Sequence, residues 1–137
     1  MGDVWSCRLV QLPRISDGRG SLSFVQPGPL IPFDIRRVYY LYDVPEDQVR
    51  GAHGHRTLES LIVAVAGAVA VEVDDGRQRR SFYLDRPDIG LYLSPMIWRN
   101  LTGFSRGTVC IVLASAPYDE ADYFRNYNAF LTAVSCA

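Results

Sequence analysis

The sequence predicts an all-β protein, an antiparallel barrel or sandwich with at most one late helix. Three observations predict it. Short runs rich in Val, Ile, Tyr and Leu alternate with turns made of Gly, Pro and Asp along most of the chain. The segments between those runs are too short for the helices that a layered α/β fold requires. Helical spacing occurs only near the C-terminus, where Tyr123, Tyr127 and Phe130 are four and three residues apart within 120–131.

Residues 4–12 alternate loosely and end at Pro13, which suggests an edge strand or an exchanged one. Ser16-Asp17-Gly18-Arg19-Gly20 is a turn by its glycines, and 21–26 is a short strand. Pro27, Gly28, Pro29 and Pro32 interrupt the chain before 36–42, whose β-branched and aromatic residues favour a pleated surface. The two-residue period there puts Tyr39 on one face and Tyr40 with Tyr42 on the other. Residues 58–66 and 68–74 are strands divided at Gly67, and Asp75-Gly76 signals a two-residue hairpin into 81–84. A turn at 85–90 leads to 91–93, Pro95 opens 96–101, and the continuous apolar run 108–114 reads as a buried strand.

A chain of 137 residues, 48% hydrophobic and 12% aromatic, is read as one domain able to bury most of a core without staples. Fourteen basic residues against fifteen acidic ones leave no footprint for a nucleic-acid backbone. No apolar run approaches the roughly 18 residues of a membrane span and no leader-like segment opens the chain, so a cytoplasmic protein without a membrane partner is expected. Cys7, Cys110 and Cys136 have no ligand spacing and read as reduced thiols, Cys110 in the core. All fourteen basic residues are arginine. Schiff-base chemistry on a lysine is therefore excluded, and a bound anion must be held by arginine, backbone N–H groups or tyrosine.

The only two histidines, His53 and His55, stand two positions apart in the stretch 50–59. On a strand both imidazoles point to one face, and Glu59, Leu61, Val63 and Val65 share that parity if the strand continues so far. Imidazole titrates between pH 5 and 8, so a pair inside a cavity suggests metal binding or proton transfer; the alternative is a pair of surface residues in a loop.

His-x-His-x3-Glu followed by an apolar strand and a glycine resembles the first motif of the cupin superfamily, small double-sheet jelly rolls with a site at the barrel mouth. Gly90, Pro95 and Arg99 stand where a second cupin motif carries glycine, proline and a further histidine. Arginine is cationic at any accessible pH and cannot ligate, and its charge opposes a neighbouring divalent cation. This favours acid–base use of the histidines in a barrel without metal or other cofactor.

The likeness becomes more specific with Arg37-Val-Tyr-Tyr-Leu-Tyr-Asp-Val-Pro45, the His-x-His segment, Asp74-Asp-Gly76, Arg86-Pro87, Gly90-Leu-Tyr-Leu, Pro95-Met-Ile-Trp98, Val112-Leu-Ala-Ser115 and Tyr118-Asp-Glu. Together these resemble the sugar nucleotide 3,4-ketoisomerases, cupins acting on dTDP-4-keto-6-deoxyglucose in bacterial deoxysugar pathways. The resemblance spans about residues 19–131 and implies a cupin-type antiparallel jelly-roll barrel with a short C-terminal helical segment. It implies His53 as main base, His55 as its partner and Tyr39 in the pocket. Arg19 and Arg99 would reach the sugar or its diphosphate, and Glu59 would support the site, fixing a histidine tautomer. A homodimer exchanging N-terminal strands, here residues 1–12, is also implied. The family usually has alanine between the histidines; Gly54 departs from this and is expected only to loosen the strand. Trp98 is expected in the core rather than against ligand. A sugar-nucleotide-binding cupin without turnover, a metal-dependent cupin dioxygenase and a 3,5-epimerase remain the competing readings. The product's ketone position separates the last from a ketoisomerase, and likeness to arginine-bearing members inclines the product toward the 3-keto-6-deoxyglucose configuration.

Overall fold

A computed structural model describes residues 2–136. Two five-stranded antiparallel sheets face each other. The first runs in the order β1 (Arg8–Gln11), β9 (Ile89–Leu93), β6 (Ser60–Ala66), β11 (Val109–Ala114) and β4 (Arg37–Leu41). The second runs β12 (Tyr123–Phe124), β5 (Arg50–His55), β10 (Trp98–Thr102), β7 (Val69–Asp74) and β8 (Arg79–Leu84). A separate hairpin is made by β2 (Arg14–Asp17) and β3 (Gly20–Ser23). The helix α1 (Tyr127–Ser135) closes the chain. This is a double-sheet jelly roll.

Alternation decides which side chains enter the barrel. Val69, Val71 and Val73 of β7 and Ile62 and Ala64 of β6 meet Leu91, Leu93, Leu101, Cys110 and Val112 between the sheets. The opposite parity of β6 and β9 faces outward: Leu61, Val63 and Tyr92 form a second cluster with Val10, Leu12, Ile31 and Phe33, which cover that sheet. A third cluster fixes the helix, with Phe130 and Val134 packed on Trp98 and Phe124. Trp98 is thus a core residue, and its neighbour Arg99 turns the other way, into the barrel. Cys7 and Cys110 are buried free thiols and Cys136 is exposed.

Several expectations are corrected. Residues 53–65 do not form one strand: the turn at 56–59 carries the chain from the second sheet to the first. Ile62 and Ala64, rather than Leu61 and Val63, therefore share the interior with the histidines. The Asp75-Gly76 connection is a four-residue loop between Asp74 and Arg79, because the Asp74 and Asp75 carboxylates accept from the N–H groups of Gly76, Arg77 and Gln78. The helix begins later than 120–131. Asp119 caps a short 3-10 turn at Glu120–Asp122, Tyr123 and Phe124 pair with His55 and Gly54, and Asn126 caps α1 by accepting from the Ala129 N–H. The first strand is the edge strand that the closing proline suggested. Arg8–Gln11 pairs with Ile89–Tyr92 of its own chain, and the segment that stands apart is the β2–β3 hairpin.

Candidate active site

At one end of the barrel lies a cavity of about 380 Å³, within the size range of small-molecule sites. Its wall takes alternate residues from the strands: Arg37, Tyr39 and Leu41 from β4, Arg50 and His53 from β5, and Arg99 and Leu101 from β10. Ile62 and Val112 form an apolar floor, and Tyr118, Tyr123 and Arg125 complete the rim.

A β-bulge aims His53. Register between β5 and β10 shifts so that Arg99 opposes His53 while Asn100 opposes Gly51, leaving Ala52 as the extra residue. Gly51 (φ 81°) and Ala52 (φ 52°) both adopt left-handed backbone there, conformations costly for a residue with a Cβ such as Ala52. Nε2 of His53 is buried without a hydrogen-bond partner among the described residues. Burial, with the Arg99 charge second, lowers the His53 pKa to about 4. The imidazole is therefore neutral and able to accept a proton at neutral pH.

Arg99 is 2% exposed. Its Nη1 donates to Ser60 Oγ at 3.3 Å and its Nη2 to the Ile97 carbonyl at 3.1 Å, while Nε has no partner. Among the described residues Arg37, Arg50 and Arg99 form no ion pair with a carboxylate, and no acidic residue lines the cavity. Burying a charge without its counter-ion is strongly unfavourable. The cavity is therefore cationic and suited to an anionic ligand or a developing oxyanion. Arg125 is tied to Glu120 at 2.9 Å and lies over the Tyr123 ring. Burial raises the Tyr39 pKa, so its phenol keeps its proton.

Of the six residues singled out from sequence, His53, Tyr39 and Arg99 line this cavity. His55, wholly buried, lies behind His53 with the ring centroids 4.9 Å apart and edge-on. Its pKa is lowered to about 2, first by burial and then by Arg99. Glu59 is not brought to the cavity: after the turn it belongs to the opposite face of the first sheet, where Tyr92 Oη donates to its Oε1 at 2.6 Å. Arg19 lies at the exposed tip of the β2–β3 hairpin, paired with Asp17 at 2.8 Å. Arg37, Arg50, Tyr118, Tyr123 and Arg125 were not anticipated. Arg37 was within reach of the sequence, since it shares the parity of Tyr39; Tyr123 and Arg125 were hidden by a helical reading of their segment.

The fold and site define the class, a jelly-roll cupin with a histidine in a cationic cavity. The family model described as FdtA, WxcM-like, C-terminal, matches residues 5–135. The chain belongs to that family. It is 41% identical over 123 residues to the TDP-4-oxo-6-deoxy-α-D-glucose 3,4-oxoisomerase of Aneurinibacillus thermoaerophilus, covering 90% of this chain and 88% of the relative. The 3,4-ketoisomerase of Thermoanaerobacterium thermosaccharolyticum, solved as a histidine-to-asparagine variant with TDP-4-keto-6-deoxyglucose, superposes with a TM-score of 0.92 at 34% identity, covering 96% of each chain. The TDP-quinovose 3,4-ketoisomerase of Campylobacter jejuni is 41% identical with a TM-score of 0.87, covering 92% of this chain and 97% of that one.

Proposed function

We propose that this protein moves the ketone of dTDP-4-keto-6-deoxyglucose from carbon 4 to carbon 3, with His53 as the base. The observation that carries this reading is the neutral, partly desolvated His53 beside the unpaired Arg99 in one cavity. The named substrates and products of the related ketoisomerases support it.

The carbon 4 ketone acidifies the hydrogen on carbon 3. His53 Nε2 takes that proton, and the electron pair left behind forms the enediolate. The Arg99 guanidinium offsets the charge gathering on oxygen. A proton returned to carbon 4, with the carbon 3 hydroxyl proton passing to the carbon 4 oxygen, leaves the ketone at carbon 3. No redox partner is consumed. Arg37, Arg50 and Arg125 at the wall suit the diphosphate, because a guanidinium fork matches paired oxygens. The donor set does not suit a metal: among the described residues no three His, Cys, Asp or Glu side chains gather. Turnover is expected to survive excess chelator.

In the same reading the protein is cytoplasmic and forms a homodimer that exchanges its N-terminal strands, residues 1–12, with the hairpin that follows them at the interface, and Arg19 enters a site only across that interface. Arg99, which holds charge without donating a proton near pH 7, leaves reprotonation to the histidines or to water. Likeness to the arginine-bearing members of the family favours the gluco configuration at carbon 4, the configuration of the sugar for which the TDP-quinovose enzyme is named. NMR of the product from dTDP-4-keto-6-deoxyglucose tests the reading. A carbon 3 ketone supports it; a retained carbon 4 ketone with inverted neighbours indicates an epimerase, and unchanged bound sugar indicates a binding protein.

A further inference from the structure

The cavity uses His53, Tyr39 and Arg99, and leaves His55 unexplained. His55 is wholly buried, and neither ring nitrogen has a hydrogen-bond partner. On its far side is a second, small cavity of about 50 Å³, lined in part by Thr57, Asp119 and Asp122, with room for a water. Asp122 Oδ2 lies 3.4 Å from His55 Nδ1.

The Asp122 carboxylate has little freedom. Its Oδ1 accepts from the Thr57 N–H at 2.9 Å and the Thr57 hydroxyl at 2.8 Å, and Oδ2 accepts from the Leu58 N–H at 3.2 Å. These donors belong to the turn that directly follows His55. The Asp122 carbonyl accepts from the Arg56 N–H at 2.9 Å, and Tyr123 pairs in register with His55. The chain thus fixes carboxylate and imidazole relative to each other from both strands. The other charged or titratable groups around His55 include Arg99 on β10, Arg37 on β4, Arg125 beyond β12 and His53 on its own strand, with Tyr123 at a ring-centroid distance of 4.3 Å and Asp119 lining the small cavity. The arginines are cationic and His53 becomes so on protonation, and Asp122 is the carboxylate within ion-pair distance.

We propose that Asp122 is a positioning residue: it takes the Nδ1–H of His55, fixes that tautomer, and so keeps His55 Nε2 as a proton acceptor next to His53. The proposal rests on the isomerase reading above. When His53 gains the carbon 3 proton it becomes a cation among guanidiniums. The neutral His55, with its Nε2 lone pair turned toward His53, offsets that charge, and the same proton returns from His53 to carbon 4; nothing is gained or lost overall. At 3.4 Å the contact is long for a hydrogen bond, and the carboxylate selects the tautomer by facing Nδ1 with its charge.

Nitrogen-15 NMR of the unmodified, ligand-free protein tests the tautomer directly, and the expected state of His55 is Nδ1–H. Asp122→Asn puts an N–H donor where Oδ2 stood, and should convert His55 to the Nε2–H form. That variant should lower kcat by roughly 100-fold while KM stays within about threefold. In a His55→Asn background the same change should have almost no further effect, because Asp122 acts through His55. An Nε2–H tautomer in the unmodified protein overturns the proposal, as does an equal loss in both backgrounds. Absence of turnover by the unmodified protein would instead defeat the isomerase reading, and the tautomer result would still stand.

Discussion

His53 combines two properties that one imidazole seldom has in water: a ring nitrogen, Nε2, buried without a partner, and a pKa held down to about 4 by burial and Arg99. The free protein therefore keeps this imidazole, the proposed base, unprotonated well below the usual histidine range. The acid limb of kcat/KM, which reports the free enzyme, should fall near pH 4, not near 6.5. A bound diphosphate offsets Arg37, Arg99 and Arg125, whose charges all depress this pKa, so the limb of kcat should lie at higher pH than that of kcat/KM. Coincident limbs near pH 6.5 would show that His53 is not held as described. The same shift acts on stability. In the native state His53 remains neutral where the unfolded chain takes up a proton, so its contribution is present above pH 6.5 and is lost as pH falls toward 4. The melting temperature should drop between pH 7 and 5, and His53→Asn should reduce that slope, the remainder coming from His55, whose pKa is lowered further.

The elements aim these residues through local departures from regular strand. β5 carries the bulge at Gly51 and Ala52, and between its histidines stands Gly54, where a Cβ would lie 3.2 Å from the Ile97 carbonyl oxygen and 3.3 Å from the Phe130 ring. The carbonyl belongs to the backbone and Phe130 is wholly buried, so neither yields readily. Gly54→Ala should cost about 1 kcal/mol through overpacking, seen as a drop of about 3 °C in melting temperature. Combined with Phe130→Leu, which opens the contact, the same alanine should become neutral or stabilising; an alanine tolerated with Phe130 intact would refute the packing account. The glycine thus reflects a neighbour 76 positions away, which sequence spacing does not reveal. Period-two alternation did reveal β7 and set Tyr39 on the face opposite Tyr40 and Tyr42, β-favouring composition revealed β4, and a continuous apolar run revealed β11. Such patterns failed at 56–59, where a turn between sheets resets the parity and sends Glu59 outward. They failed again at 120–131, where spaced aromatics mimic a helix although Tyr123 and Phe124 are strand residues paired to β5. Asp122 had no local signal, since its meaning depends on that pairing.

At the scale of the molecule, the β2–β3 hairpin packs in neither large sheet and leaves Ile15 62% and Leu22 57% exposed. An exposed, unpaired hairpin with apolar side chains is a natural surface for self-association. The dimer proposed here should run as twice the chain mass in analytical ultracentrifugation, and Ile15→Glu with Leu22→Glu should yield monomer. A monomeric parent of full activity would remove the partner, and Arg19 with it, from the account.

The claim at the centre of the account is that His53 carries a proton between carbon 3 and carbon 4 of one bound sugar, and it is tested most directly in deuterated water. Dialysed protein is incubated with dTDP-4-keto-6-deoxyglucose and the sugar protons are followed by NMR, in parallel with His53→Asn. The expected result is loss of the carbon 3 proton signal as the ketone arrives at carbon 3, with hydrogen or deuterium delivered to carbon 4. The variant should bind the nucleotide sugar but slow migration by about two to four orders of magnitude. Exchange at carbon 5 with the ketone still on carbon 4, or undiminished migration in His53→Asn, would contradict it.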